Sequence, residues 1–146
     1  MKITIHVAAR TVTGSKHLLQ TRSGKKILLD CGMFQGMGKE TIELNNHWGF
    51  DPAELTHVII SHAHIDHTGL LPKLVKDGYK GKIYCTPETA DLAKILLLDS
   101  AHIQEGDIRV VNARREKQGR PLEKVLYDTQ DVLDIYMLGI KNENLS

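Results

Sequence analysis

The stretch VIISHAHIDHTG, residues 58–69, constrains this chain more than any other. Val58, Ile59 and Ile60 form a β-branched apolar run that reads as a buried strand, and His62, His64, Asp66 and His67 follow it at once. Side chains of an extended chain repeat every two residues. A strand over 57–61 that stays extended slightly further therefore sends His62 and His64 to one side and turns Ala63 and Ile65 to the core. Asp66 and His67 fall where the chain turns into a helix, aimed at a second point nearby. One buried histidine is ordinarily a hydrogen-bonded core residue. Three of them crowded with an aspartate would leave several desolvated polar groups uncompensated unless a cation held them together. Imidazole nitrogens and carboxylates suit zinc, iron or manganese, and two neighbouring pairs suit a two-metal site that can clamp a phosphoryl centre.

The segments around this cluster set its frame. KITIHV alternates, HLLQT follows the turn-forming TGS, and KKILLD follows RSG, so the first thirty or so residues read as strands. CGMFQGMGKE is a glycine-rich loop with tight turns beneath the histidine stretch, leading into a polar segment that ends at WGFDPAEL. Met33 and Phe34 read as core, and Cys31 as a small buried residue. After residue 67 the period changes. LLPKLVKDGY is a short helix stopped at Gly78, KIYC a short strand, and 87–106 a long helix capped by Thr86 with Pro87 in its first turn. The Leu, Ile and Val positions of that helix are expected to be its core face. RVVNARREKQGRP is basic and ends in a break, and TQDVLDIYML is a last amphipathic helix with Asp128 or Thr129 as its cap. Strands first, then strand–helix alternation, give a mixed α and β layered fold.

Composition narrows the classes. The chain has 146 residues, one domain's worth, with 41% hydrophobic and 25% charged residues. A formal net charge of +1 gives no global pull toward nucleic acid or membrane. Two cysteines outside any CxxC spacing fit a reducing compartment rather than a disulfide scaffold, so a cytoplasmic location is expected. The N-terminus has no apolar signal core, and no run approaches the about eighteen apolar residues of a membrane span.

HAHIDH resembles the H-x-H-x-D-H signature of the metallo-β-lactamase superfamily. AARTVTGSKHLLQT, KKILLDCGMFQG and the run from SHAHIDHTG to HIQE resemble the β-CASP branch, the RNA-cleaving nucleases related to the mRNA 3′-end cleavage factor. The resemblance reaches about residue 135. It implies a four-layer αββα sandwich, of which residues 1–146 would be the N-terminal half. It also implies a dinuclear zinc site, with His62 and His64 on one ion and Asp66 and His67 on the other. Asp30 would brace the histidine loop without ligating. Cleavage of an RNA phosphodiester by a metal-held hydroxide is the implied reaction, with Asp66 orienting the nucleophile.

The family draws further ligands and a β-CASP domain from sequence outside these residues, so the chain is expected to be a partial metallo-β-lactamase domain, inactive alone. None of His6, His17, His47, His57 and His102 reads as a substitute ligand. Arg114, Arg115, Lys117 and Arg120 are candidate RNA contacts, although no aromatic residues interleave for base stacking. Half of a two-sheet sandwich would expose an apolar face, to be covered by the other half or by a second copy. Other readings are a different metallo-β-lactamase-fold hydrolase acting on small esters, thioesters or phosphodiesters, and a non-catalytic interaction module.

Overall fold

The computed structural model of the chain describes residues 1–7, 13–36, 38–138 and 140–141. Strands β1 (Lys2–Val7), β2 (Lys16–Gln20), β3 (Lys26–Leu29), β4 (His57–Ile59), β5 (Lys82–Tyr84) and β6 (Ile140–Lys141) form one sheet whose spatial order repeats the chain order. β1, β2 and β3 pair antiparallel, and β3 through β6 pair parallel. Parallel neighbours need crossovers, and helices usually supply them. Here they are α1 (Lys39–Asn46) before β4, α2 (Ile65–Thr68) and α3 (Leu71–Lys76) before β5, and α4 (Pro87–Lys117) and α5 (Thr129–Leu138) before β6.

The two faces of the sheet differ. Leu18, Leu28, Val58 and Ile83 point into one core with Leu70, Leu74, Leu97, Tyr127, Val132 and Ile135 from the loops and helices. The register Ile3–Leu19–Ile27 and the adjacent pair Leu29–Ile59 set a second apolar row on the opposite face. There Ile3, Ile5 and Leu29 are 59%, 52% and 37% exposed, so nothing among the described residues covers them. Among the described residues there is one sheet with helices on one side, and the sheet's other face leaves these apolar residues open.

Three local expectations are corrected. The polar segment after the glycine-rich loop contains α1, which follows Gly38 at φ +58 and whose buried Asn45 binds both backbone groups of Phe34. α4 runs 31 residues to Lys117, through the basic stretch, and stops at Gln118 and Gly119, the latter at φ +65. Its core face is only partly its large residues: Leu97 is buried with Ala90, Ala93 and Ala101, and Leu96 and Leu98 pack against that core, whereas Leu92, Ile95 and Ile103 are exposed. Alanines at that spacing let the helix lie close against its neighbours, which larger side chains would prevent.

The cap and core expectations hold. Thr86 Oγ1 accepts from Thr89 N at 3.2 Å and caps α4. Asp128 caps α5 reciprocally with Asp131, each backbone N–H donating to the other's carboxylate at 2.9 Å. Met33, Phe34 and Cys31 are buried. No helix among the described residues is long and apolar enough to cross a membrane.

Candidate metal centre

The centre is built where β3 and β4 end side by side. Leu29 pairs with Ile59, and the ladder continues one step through Asp30 N donating to Ile59 O at 2.9 Å. Asp30 then turns with φ +59, the only non-glycine residue among those described with positive φ. Aspartate tolerates this conformation better than most residues. The turn aims its carboxylate across to the chain leaving β4. Oδ1 accepts from Ser61 N at 2.8 Å, and Oδ2 accepts from Ser61 Oγ at 2.9 Å and from His67 Nδ1 at 2.8 Å. Asp30, expected to brace the histidine loop, thus accepts three hydrogen bonds from the chain leaving β4. Ser61 Oγ also lies 2.9 Å from His62 Nδ1.

β4 stops at Ile59, two residues short of the strand expected, so His62 and His64 sit in a bend rather than on a strand. Ala63 is buried and Ile65 packs on the core, as the alternation required. α2 begins at Ile65 and presents Asp66 and His67 from its first turn. One ligand atom each of His62, Asp66 and His67 lies within 4.8 Å of the others, and all three residues are half-buried. The His62 and His67 rings are 4.0 Å apart between centroids. His64 is exposed, and its ring meets the His62 ring edge-on at 4.8 Å. Asp66 Oδ2 is 3.4 Å from His67 Nε2.

The loop is held from below through its backbone. Cys31 N donates to His67 O at 2.8 Å, Met33 N to Ile65 O at 3.1 Å, and Leu70 N to Cys31 O at 2.9 Å. Ser15 N donates to Asp66 O at 2.8 Å, and Gly32 N to Ser15 O at 2.9 Å. Gly32 is the point of closest approach. A Cβ there would lie 1.6 Å from Asp66 O and 2.7 Å from Ser15 N, so only glycine fits. Buried Thr68 closes the bend by donating to Ala63 O or His64 O, each 3.0 Å away.

The donor set fits a borderline divalent cation. Two imidazoles and a carboxylate converge, and both imidazoles have Nδ1 engaged, which leaves Nε2 for a metal; metal-binding histidines are ordinarily held in this way. Cys31, next to Asp30, is no nucleophile, because burial pushes its thiol up to about 12. Near it lies an unforeseen feature, Lys16 on the core side of β2, 1% exposed with its Nζ unpartnered. That Nζ is 5.8 Å from the Phe34 ring centroid and 5.4 Å from the Trp48 ring, which Lys73 Nζ also faces at 5.4 Å. Burial lowers the Lys16 pKa; Cys31 partly offsets this and Lys73 adds to it.

Of the remaining histidines, His47 and His102 are exposed, while His17 and His57 are half-buried in β2 and β4; none joins the cluster among the described residues. The side chain of His6 lies outside the described residues. Arg114, Lys117 and Arg120 are exposed near the end of α4. Arg115 is engaged with Glu123 and with Pro121 O. Sequence reasoning passed over Ser61, Gly32 and Lys16. Only Ser61 carried a signal, as the hydroxyl residue directly before the first histidine.

The sequence pattern of the metallo-beta-lactamase superfamily matches residues 14–140. Ribonuclease TTHA0252 of Thermus thermophilus is 50% identical over 107 residues, covering 72% of this chain and 24% of the relative. Transcription termination factor FttA of Methanosarcina mazei is 33% identical over 137 residues, 92% of this chain and 21% of that protein. Integrator complex subunit 11 of Danio rerio is 38% identical over 91 residues, 59% of this chain and 15% of that protein. The chain thus spans about a quarter or less of the length of these relatives. Among solved structures, the short form of human tRNase Z aligns with a TM-score of 0.44 and 21% identity, covering 68% of this chain and 40% of that one.

Proposed function

The chain belongs to the metallo-beta-lactamase superfamily and sides with its β-CASP RNA nucleases, and on that footing we propose that it is the metal-ligating portion of a zinc-dependent RNA phosphodiesterase. The observation that carries the reading is the convergence of His62, Asp66 and His67 above a carboxylate that holds their loop. His62 and His64 are assigned to one zinc and Asp66 and His67 to the other. Bound zinc supplies Lewis acidity toward a phosphoryl oxygen and a lowered pKa for bound water. The chain's own residues hold and orient: Asp30 fixes the loop, His67 presents Nε2, and Asp66, beside that nitrogen, is the group that directs the attacking water.

These residues give each ion two protein ligands, and a catalytic zinc ordinarily has three. The 146 residues by themselves are therefore expected to hold metal weakly and to cleave RNA only when further ligands are supplied. Arg114, Arg115, Lys117 and Arg120 form the candidate contact with the phosphate backbone, with Arg115 contributing after release from Glu123. The open face bearing Ile3, Ile5 and Leu29 is to be covered by the other half of a sandwich or by a second copy of the chain. The buried, unpaired cysteines suit the cytoplasm.

The test is zinc content with cleavage of a labelled single-stranded RNA, on the chain and on its His62→Ala and His67→Ala variants. Zinc that falls with either variant supports the reading. Zinc bound equally by all three proteins, or tight zinc with cleavage of a small ester and not of RNA, overturns it. Sedimentation of a monodisperse monomer would count against the covered face.

A further inference from the structure

We infer that Ser61 is a positioning residue that sets the tautomer of His62, relaying the Asp30 carboxylate to a second imidazole. This rests on the reading of His62 as a metal ligand. Three short distances share one centre. Ser61 Oγ is 2.9 Å from Asp30 Oδ2 and 2.9 Å from His62 Nδ1, while His67 Nδ1 is 2.8 Å from the same Oδ2. An ionised carboxylate has only acceptor sites, and a serine hydroxyl has one proton to give.

The proton of Ser61 therefore goes to Asp30. If it went to His62 instead, two oxygens 2.9 Å apart would face each other with no hydrogen between them. With its proton committed, Ser61 Oγ has only lone pairs left to offer, so His62 Nδ1 must be the donor. His62 is thereby held as the Nδ1–H tautomer with a lone pair on Nε2. His67 is held likewise, directly. A single oxygen, Asp30 Oδ2, thus prepares both imidazoles to ligate through Nε2, one at first hand and one through a hydroxyl.

The geometry is not a chance surface contact. Ser61 N donates to Asp30 Oδ1 at 2.8 Å, so backbone and side chain of the same residue grip both carboxylate oxygens. That double contact fixes where Oγ stands. Asp30 is itself fixed by its N–H bond to the carbonyl of Ile59, the last residue of β4 and two residues before the serine. The relay lets the carboxylate act on His62 without touching it. Threonine carries the same hydroxyl, and Ser61 is exposed.

The experiment reads the imidazole tautomers directly in the 15N-labelled chain, from two-bond proton–nitrogen correlations near pH 8, above the ordinary imidazole range of about 6.5. The wild type is expected to show His62 as Nδ1–H. Ser61→Ala should shift it to Nε2–H, and Ser61→Thr should restore Nδ1–H. Cobalt(II) titration of the same proteins is expected to weaken roughly 10–100-fold in Ser61→Ala, the usual effect of losing an outer partner of a ligating histidine, and to recover in Ser61→Thr. A wild-type His62 found as Nε2–H, or Nδ1–H retained in Ser61→Ala, overturns the inference. His62→Ala separates the two readings. If that variant binds cobalt as tightly as the wild type, the metal assignment fails; if it loses cobalt while Ser61→Ala keeps the wild-type tautomer, only the relay fails.

Discussion

Asp30 Oδ2 and His67 Nδ1 stand 2.8 Å apart, joined across 37 residues of chain. The contact joins a carboxylate at one strand end to an imidazole at a helix start, so the two elements are tied to each other. Asp30→Asn tests what the charge contributes. Asparagine also accepts positive φ, so the backbone turn should survive, but one acceptor oxygen becomes an amide donor facing Ser61 or His67. Metal affinity is expected to fall about 10–100-fold with secondary structure unchanged. Competition with a colorimetric chelator, beside circular dichroism, checks both halves of that statement.

Gly32→Ala should be among the most damaging single-methyl changes in the chain. Its Cβ would stand 1.6 Å from Asp66 O, a backbone atom that cannot swing aside. Overpacking of this kind costs about 1–3 kcal/mol or more. Gly24→Ala is the matched control, because that residue has φ +85 but nothing within 4 Å, leaving only the conformational cost of about 1–2 kcal/mol. Denaturant melts should rank Gly32→Ala well below Gly24→Ala.

Lys16→Met should stabilise the chain at neutral pH by about 1–3 kcal/mol, the usual cost of a buried polar group without a partner. The pH dependence gives the sign. Burial lowers the Lys16 pKa from its ordinary 10.5, so between the folded value and 10.5 the unfolded chain binds more protons. Stability therefore rises with pH across that window, and below it the burial penalty is constant. Cys31 opposes this at the alkaline end. Its thiol is pushed up from 9.0 to about 12, so stability present below pH 9 is lost as pH rises toward 12. Lys16→Met should show a smaller gain in stability with rising pH than the wild type, followed by Trp48 fluorescence during unfolding.

Asn112→Ala and Arg115→Ala should loosen the same corner. Asn112 binds both backbone groups of Glu123, donating at 2.9 Å and accepting at 2.8 Å, and Arg115 ties down Pro121 O and Glu123. Each substitution is expected to cost about 1 kcal/mol or more and to raise hydrogen exchange over residues 108–126. Arg114→Ala and Lys117→Ala, both exposed, should leave stability unchanged. In a protein that binds RNA they should lower affinity and reduce the salt slope by about one each.

The parts of this fold that were legible in the sequence are those where pattern and chemistry coincide. β1 matches its alternating stretch, α5 its amphipathic one, and Gly78 stops α3 with φ +117. The crowding of His62, Asp66 and His67 could be anticipated because their polar groups follow a buried strand so closely in the chain, whereas His64 lies outside that cluster. α1 was not legible, since KETIELNN is polar and the buried Asn45 that holds it to both backbone groups of Phe34 gives no apolar signal. The core face of α4 was only partly legible, because Leu, Ile and Val occur on more than one side of the helix, and packing buries Ala90, Ala93, Leu97 and Ala101 while Leu92 and Ile95 stay exposed. Gly32 and Lys16 were invisible for a related reason. What makes them matter is a neighbour distant along the chain.

The sheet's spatial order, which repeats the chain order, bears on how the site comes into being. Among the described residues every strand pairs with its neighbours in the chain, so the β1–β2–β3 meander can form from local hairpins alone. The first demanding step is the parallel docking of β4 on β3, which must close the loop carrying α1 before any contact rewards it. Only then do Ser61 and His67 come within reach of Asp30. The histidine loop is therefore complete only once β4 lies on β3, and a cation added during refolding is expected to bind no earlier than that docking.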